Sequence, residues 1–169
     1  MAKETALSAE HYQGIGEIVV AWARIETHLV RILRSLTRVS FKEALIVYWQ
    51  MQYRERLTVL ERLVFQIHPD PDNKVRQEFQ TLIKRLNTAY GIRNLAGHSV
   101  WLSGKAPDSI TPLAIGLTGE ITPLKQRKDF TAAKLHAEAL VIARLGEDIK
   151  QHFSANFRVR FIHKRDEAV

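Results

Sequence analysis

The sequence predicts an all-α protein: a bundle of four or five helices with a short β-hairpin inserted before the last long helix. Three observations carry this. Apolar residues recur every three or four positions along most of the chain, which is the helical period. Between residues 102 and 129 that period gives way to alternation, and Pro107, Pro112 and Pro123, three of the five prolines, fall there. With 169 residues, 46% of them hydrophobic, the chain suits a single helical domain over 1–169 that can bury a proper core.

From Ser8 to Thr37 the apolar positions are Ile15, Ile18, Trp22, Ile25, Leu29, Ile32, Leu33 and Leu36, a long amphipathic helix. Arg24, His28, Arg31 and Arg38 gather opposite this stripe with Arg34 beside them, as either a solvated face or a phosphate-binding one. Ser40 and Glu43 form an S-x-x-E capping box, so a second helix should begin near Phe41. Leu57, Leu60, Val64 and Ile67 set a fresh register, which implies a bend between Gln50 and Tyr53. Pro69 and Pro71 stop this helix, and Asp72 is the expected N-cap of the next. That third helix carries Val75, Phe79, Leu82, Leu86 and Ala89 or Tyr90 on one face.

In the 102–129 insertion Leu113, Ile115 and Leu117 alternate, Thr118-Gly119 can turn, and Ile121 continues, predicting the hairpin. A last helix from about Thr131 places Leu135, Ala139, Ile142, Leu145, Ile149 and Phe153 inward. The basic tail, 156–169, alternates Phe157, Val159 and Phe161 with Arg158 and Arg160 before Lys164 and Arg165, a pattern that fits a strand or a helix extension.

Lys and Arg number 25 against 18 acidic residues, a net charge of +7 and a pI near 9.9, so polyanions such as nucleic acid are plausible partners. Two clusters are the candidate phosphate contacts: Arg24, Arg31, Arg34 and Arg38 on the first helix, and Arg158, Arg160, Lys164 and Arg165 in the tail. Cysteine is absent, which excludes disulfides, thiolate metal sites and thiol nucleophiles. The opening "MAKETALSAE" has no apolar leader and no long apolar run follows, so a cytoplasmic location without a membrane span is expected. The seven histidines are scattered without a metal-ligand pair at helical spacing, and no Walker loop, G-x-S-x-G or dinucleotide fingerprint occurs. Neither a metal nor a cofactor is therefore expected.

One stretch breaks the pattern: "YGIRNLAGHSVW", residues 90–101. If the third helix continues regularly, Arg93 projects from the middle of its apolar stripe. A charge there must pair, face a cavity or sit at an interface, because leaving it buried without a partner costs about 3–5 kcal/mol. Glu26, one turn after Trp22 at the margin of the first helix's stripe, is the expected partner. Asn94 and His98 lie one turn apart, but Arg93 and His98 point about 140° apart on a regular helix. A left-handed cap at Gly97 would swing His98 beside Arg93. Convergence across a symmetric dimer would serve equally.

Arg93-Asn94-x-x-x-His98 is an R-N-x3-H arrangement, and with it the chain resembles the HEPN superfamily of small helical nucleotide-binding domains. "AWARIETHLVRIL", with Trp22 and Glu26, is similar to the opening helix of bacterial members, and "RNLAGHSVW", an insertion and "DFTAAKLHAEALVIARL" follow in the family's order. The resemblance implies metal-independent endoribonuclease activity, in a toxin or defence effector, with RNA as substrate. It assigns His98 as acid or base, Arg93 as phosphate clamp, Asn94 as orienting group and Glu26 as support for Arg93. It implies a homodimer with a composite site, and a separately encoded antitoxin or regulatory protein. Where some members carry a modifiable tyrosine two positions after the histidine, this chain has Val100. The alternative is a non-catalytic HEPN-like module that binds protein or nucleic acid.

Overall fold

The structure, a computed structural model, describes residues 7–115, 121–122 and 129–161. Among them are five α-helices, α1 (Ala9–Thr37), α2 (Phe41–Gln50), α3 (Tyr53–Ile67), α4 (Lys74–His98) and α5 (Ala132–Phe157). Between α4 and α5 lie four short strands, β1 (Val100–Ser103), β2 (Ser109–Ile115), β3 (Ile121–Thr122) and β4 (Phe130–Thr131). The expected helical fold with a small antiparallel insertion is what forms, and no helix among the described residues is long and apolar enough to cross a membrane.

The chain divides into two compact units. The first comprises Met1–Ala23 and Thr88–Arg144. Ser8 starts α1, its hydroxyl accepting from the His11 amide at 3.4 Å. Ile18, Ala21 and Trp22 of α1 are buried in this unit, as are Ala89 and Ala96 of α4 and Leu135, Ala139 and Ile142 of α5. Gly14 lets two of these helices close: a Cβ there would stand 2.7 Å from the Leu135 Cβ. Strand β2 is the hub of the sheet, pairing antiparallel with β1 (Trp101 opposite Pro112), with β3 (Ile115 opposite Ile121) and with β4 (Ile110 opposite Phe130). The predicted hairpin is thus the β2–β3 pair, while its turn at Thr118-Gly119 lies outside the described residues, as does Leu117. Trp101 packs edge-on against the buried Phe130. The Asp129 carboxylate accepts from the Lys105 amide and the Thr111 hydroxyl, tying the sheet's approach to α5.

The second unit comprises Arg24–Asn87 and Leu145–Val169. Its core is Ile25, Leu29, Ile32 and Leu33 of α1, Leu57, Leu60 and Val64 of α3, Phe79, Leu82 and Leu86 of α4, and Leu145, Ile149 and Phe153 of α5. Each such side chain, taken from water, contributes about 1.5–3 kcal/mol before chain entropy is subtracted. The Ser40–Glu43 capping box forms as its spacing predicts. The bend between Gln50 and Tyr53 is a full break, because Met51 and Gln52 are extended and the Glu55 carboxylate accepts from the Gln52 amide to start α3. The N-cap of α4 is Asn73, one residue beyond the expected Asp72: its Oδ1 accepts from the Val75 and Arg76 amides, while Asp72 is taken up in the preceding turn. From 158 to 161, the part of the tail described beyond α5, the chain is neither a strand nor more helix. Arg158 turns left-handed (φ 54°), and the Val159 amide returns to the Phe153 carbonyl at 3.3 Å, burying the Val159 side chain.

Candidate functional site

Helix α4 runs unbroken through Gly91 and Gly97 to His98, so Gly97 is an ordinary helical residue and not the left-handed cap expected. At neither glycine would a Cβ meet anything within 4 Å. Arg93 still reaches His98: its Nη1 donates to His98 Nε2 at 2.9 Å and to Asn94 Oδ1 at 3.1 Å. The length of the arginine side chain closes the angular gap that a short residue could not. A guanidinium has no acceptor, so Nε2 of His98 supplies the lone pair and the ring proton of this tautomer is on Nδ1. Arg93 and Asn94 are half-buried and His98 is exposed. Upstream, Tyr90 meets the buried Trp22 with ring centroids 5.6 Å apart.

Glu26 does not hold Arg93. Its Oε1 accepts from Arg56 Nη1 at 3.2 Å, and both side chains are largely buried. Arg56 also donates from Nε to the Met51 carbonyl at 2.8 Å and lies over the rings of Tyr48 and Trp49, 4.2 and 4.8 Å from their centroids. A guanidinium among apolar residues does take Glu26 as its partner, but that guanidinium belongs to Arg56. Burial, reinforced by the Glu26 carboxylate and opposed by Arg56, pushes the Tyr48 hydroxyl up to about 12.

The two basic clusters of the sequence are partly one cluster. A cleft of about 370 Å³ is lined by Arg31, Arg34, Ser35 and Arg38 with Val39, Arg158 and Arg160. Arg24 is exposed on α1 but is not part of it, and Lys164 and Arg165 lie outside the described residues. Two of the five arginines, Arg38 (φ 60°) and Arg158 (φ 54°), have left-handed backbones just beyond the C-termini of α1 and α5. That conformation costs a side-chain-bearing residue about 1–2 kcal/mol, which glycine would avoid. His28, grouped with these arginines by sequence, is half-buried edge-on to Phe161, and burial holds its imidazole below the usual histidine range.

Several ionisable pairs between distant helices have no signal in the sequence, Arg85–Asp148 at 2.7 Å and Glu17–His136 among them. Glu17 and His136 meet at 2.6 Å on a cleft of about 270 Å³ also lined by Gln13 and Gly14. The Gln13 amide first, and His136 second, hold the Glu17 carboxyl below its ordinary range. The partners are 119 residues apart, each on the polar side of its own helix, so no spacing rule could have joined them. Among the described residues no group of three or more His, Asp or Glu side chains could hold a metal ion.

A comparison with protein families, curated proteins and solved structures found no match to this chain. Function must therefore be argued from the residues themselves.

Proposed function

We propose that the chain is a metal-independent endoribonuclease of HEPN type, acting as a homodimer in a toxin or defence setting. The observation that supports this most is the Arg93–His98 contact: an imidazole lone pair accepting, at 2.9 Å, from a guanidinium that has no carboxylate partner among the described residues. A phosphate entering beside Arg93 would take over its donors, since oxyanions form stronger bonds with guanidinium than a neutral ring does. His98 Nε2 is then released to accept the proton of the RNA 2′-hydroxyl as that oxygen attacks phosphorus. Arg93 offsets the charge that builds on the phosphoryl oxygens. The P–O5′ bond breaks, the departing 5′-oxygen takes a proton from the histidinium or water, and a 2′,3′-cyclic phosphate remains. Asn94, which accepts from Arg93 at 3.1 Å, fixes the guanidinium; Glu26, committed to Arg56, has no such role in this reading.

The test is incubation of purified protein with mixed RNA in excess chelator, with end-group analysis of the fragments. Cyclic phosphate and 5′-hydroxyl ends that vanish in His98→Ala are expected. Undiminished cleavage by that variant would sink the proposal. Light scattering should show a dimer at micromolar concentration, because a symmetric interface would bring both copies of Arg93 and His98 to one cleft.

The non-catalytic reading rests on a separate observation: Ile46, Val47 and Trp49 of α2 are each half exposed or more, an apolar patch suited to a protein partner. Intact RNA under all conditions would favour it.

A further inference from the structure

We propose that the arginine cleft of the second unit binds a compact chain of phosphate groups, an oligophosphate such as triphosphate, free or as the tail of a nucleotide. This does not rest on the ribonuclease reading, and it uses none of the residues given a catalytic part in it.

Five guanidinium groups line a cleft of about 370 Å³, joined among the described residues by Ser35 and Val39. Among the described residues no carboxylate lines it, and Arg34, Arg38, Arg158 and Arg160 make no ion pair. Like charges crowded around so small a volume repel one another and call for an anion. The Glu26–Arg56 pair shows how this same unit neutralises an arginine for structural purposes, with a carboxylate at 3.2 Å and two aromatic faces; among the described residues neither serves Arg34, Arg38, Arg158 or Arg160.

The backbone adds an independent sign. Helix ends that turn left-handed usually do so at glycine, whereas both turns bordering this cleft carry arginine. The negative ends of α1 and α5 would each favour one nearby cation. They give no reason for five on one cleft. Strain of this kind gathers at ligand sites, where the side chain does something glycine could not.

The lining also selects the kind of anion. A single nucleic acid strand is bound along an extended positive track with aromatic side chains that stack on its bases. Here the charge is concentrated, and among the described residues no aromatic side chain lines the cleft. Guanidinium forks and the Ser35 hydroxyl read phosphate oxygens alone, and several phosphates a few ångströms apart match several converging arginines better than one phosphate does.

Calorimetric titration of the whole chain with inorganic triphosphate, a nucleoside triphosphate, orthophosphate and a single-stranded RNA dodecamer decides the matter. One triphosphate per chain is expected, bound at least tenfold tighter than orthophosphate. A nucleoside triphosphate within threefold of the inorganic chain shows that only phosphates are read; a markedly tighter one assigns the ligand as nucleotide-borne. The Arg34→Gln, Arg158→Gly double variant should weaken triphosphate at least tenfold, with Arg62→Gln, an exposed arginine outside the cleft, unchanged. Glycine keeps the left-handed turn, and Arg34 is exposed on a helix, so Arg34→Gln alone serves if the double variant fails to fold. Equal affinity for orthophosphate and triphosphate, or undiminished binding by these variants, overturns the proposal. So does an RNA that needs these arginines while triphosphate does not bind, which would make the cleft a strand-backbone site.

Discussion

Arg56 and Arg93 each interrupt an apolar helix face, yet their surroundings are opposites. Arg56 is 9% exposed and saturated: a carboxylate, a backbone carbonyl and two rings take up its charge, its donors and its faces. Arg93 is half-buried, and its partners are the neutral amide of Asn94 and the exposed ring of His98. An arginine whose charge is met inside the protein holds the fold together. One whose charge is met only by neutral groups at the surface keeps its affinity for an outside anion. On the proposed reading, Arg56 is the structural guanidinium and Arg93 the one that meets a ligand.

The largest effect expected is on catalysis. Arg93→Ala and His98→Ala should each lower RNA cleavage by about 10²–10⁴-fold, measured as single-turnover rates, while the unfolding midpoint in urea hardly moves. A large loss of stability in Arg93→Ala would erase the contrast with Arg56. Next is Arg56→Ala, which strands Glu26 in the interior and should destabilise the fold by about 3–5 kcal/mol by urea denaturation. A loss below about 1 kcal/mol would place Arg56 with ordinary surface arginines.

Alkaline pH sharpens the same comparison more gently. The Tyr48 hydroxyl stays neutral in the folded chain up to about 12, against an unfolded value of 10.0, so the unfolded state ionises first. The stabilisation it gives is whole below pH 10 and is lost as pH rises towards 12, on the order of 2 kcal/mol. Tyr48→Phe should flatten that part of the stability profile, and identical profiles would show that the Arg56 pocket does not govern it. Smallest is Arg158→Gly, expected to raise stability by about 1 kcal/mol or less through relief of the left-handed turn and of charge crowding. A loss in thermal melts would mean the guanidinium is held by the fold itself.

The elements of this fold were legible because period and capping chemistry are local. The α5 stripe from Leu135 to Phe153 and the Ser40 capping box needed only neighbours within a turn or a few. Asn73 in place of Asp72 is the usual failure in an acid- and amide-rich turn, where adjacent side chains can equally well cap. Pairing between elements was not legible. Glu26 offered a carboxylate to two arginines, and sequence cannot tell which helix presents which; Arg31 and Arg158 face one cleft although 127 positions separate them by subtraction of their numbers. The R-N-x3-H segment was visible as a motif, but its geometry depended on how far one long side chain could reach.

Gly91 and Gly97 have open space where a Cβ would stand, so neither is there to let another element approach. Their effect is on the helix itself. Each glycine weakens helix formation by about 1 kcal/mol relative to alanine, and the pair brackets Arg93 and Asn94, with His98 directly after Gly97, in the last two turns of α4. This stretch should therefore fray at little expense, its amides exchanging with solvent sooner than those between Phe79 and Leu86. A segment that loosens so readily can readjust around a bound phosphate without disturbing the buried faces on which the rest of α4 depends.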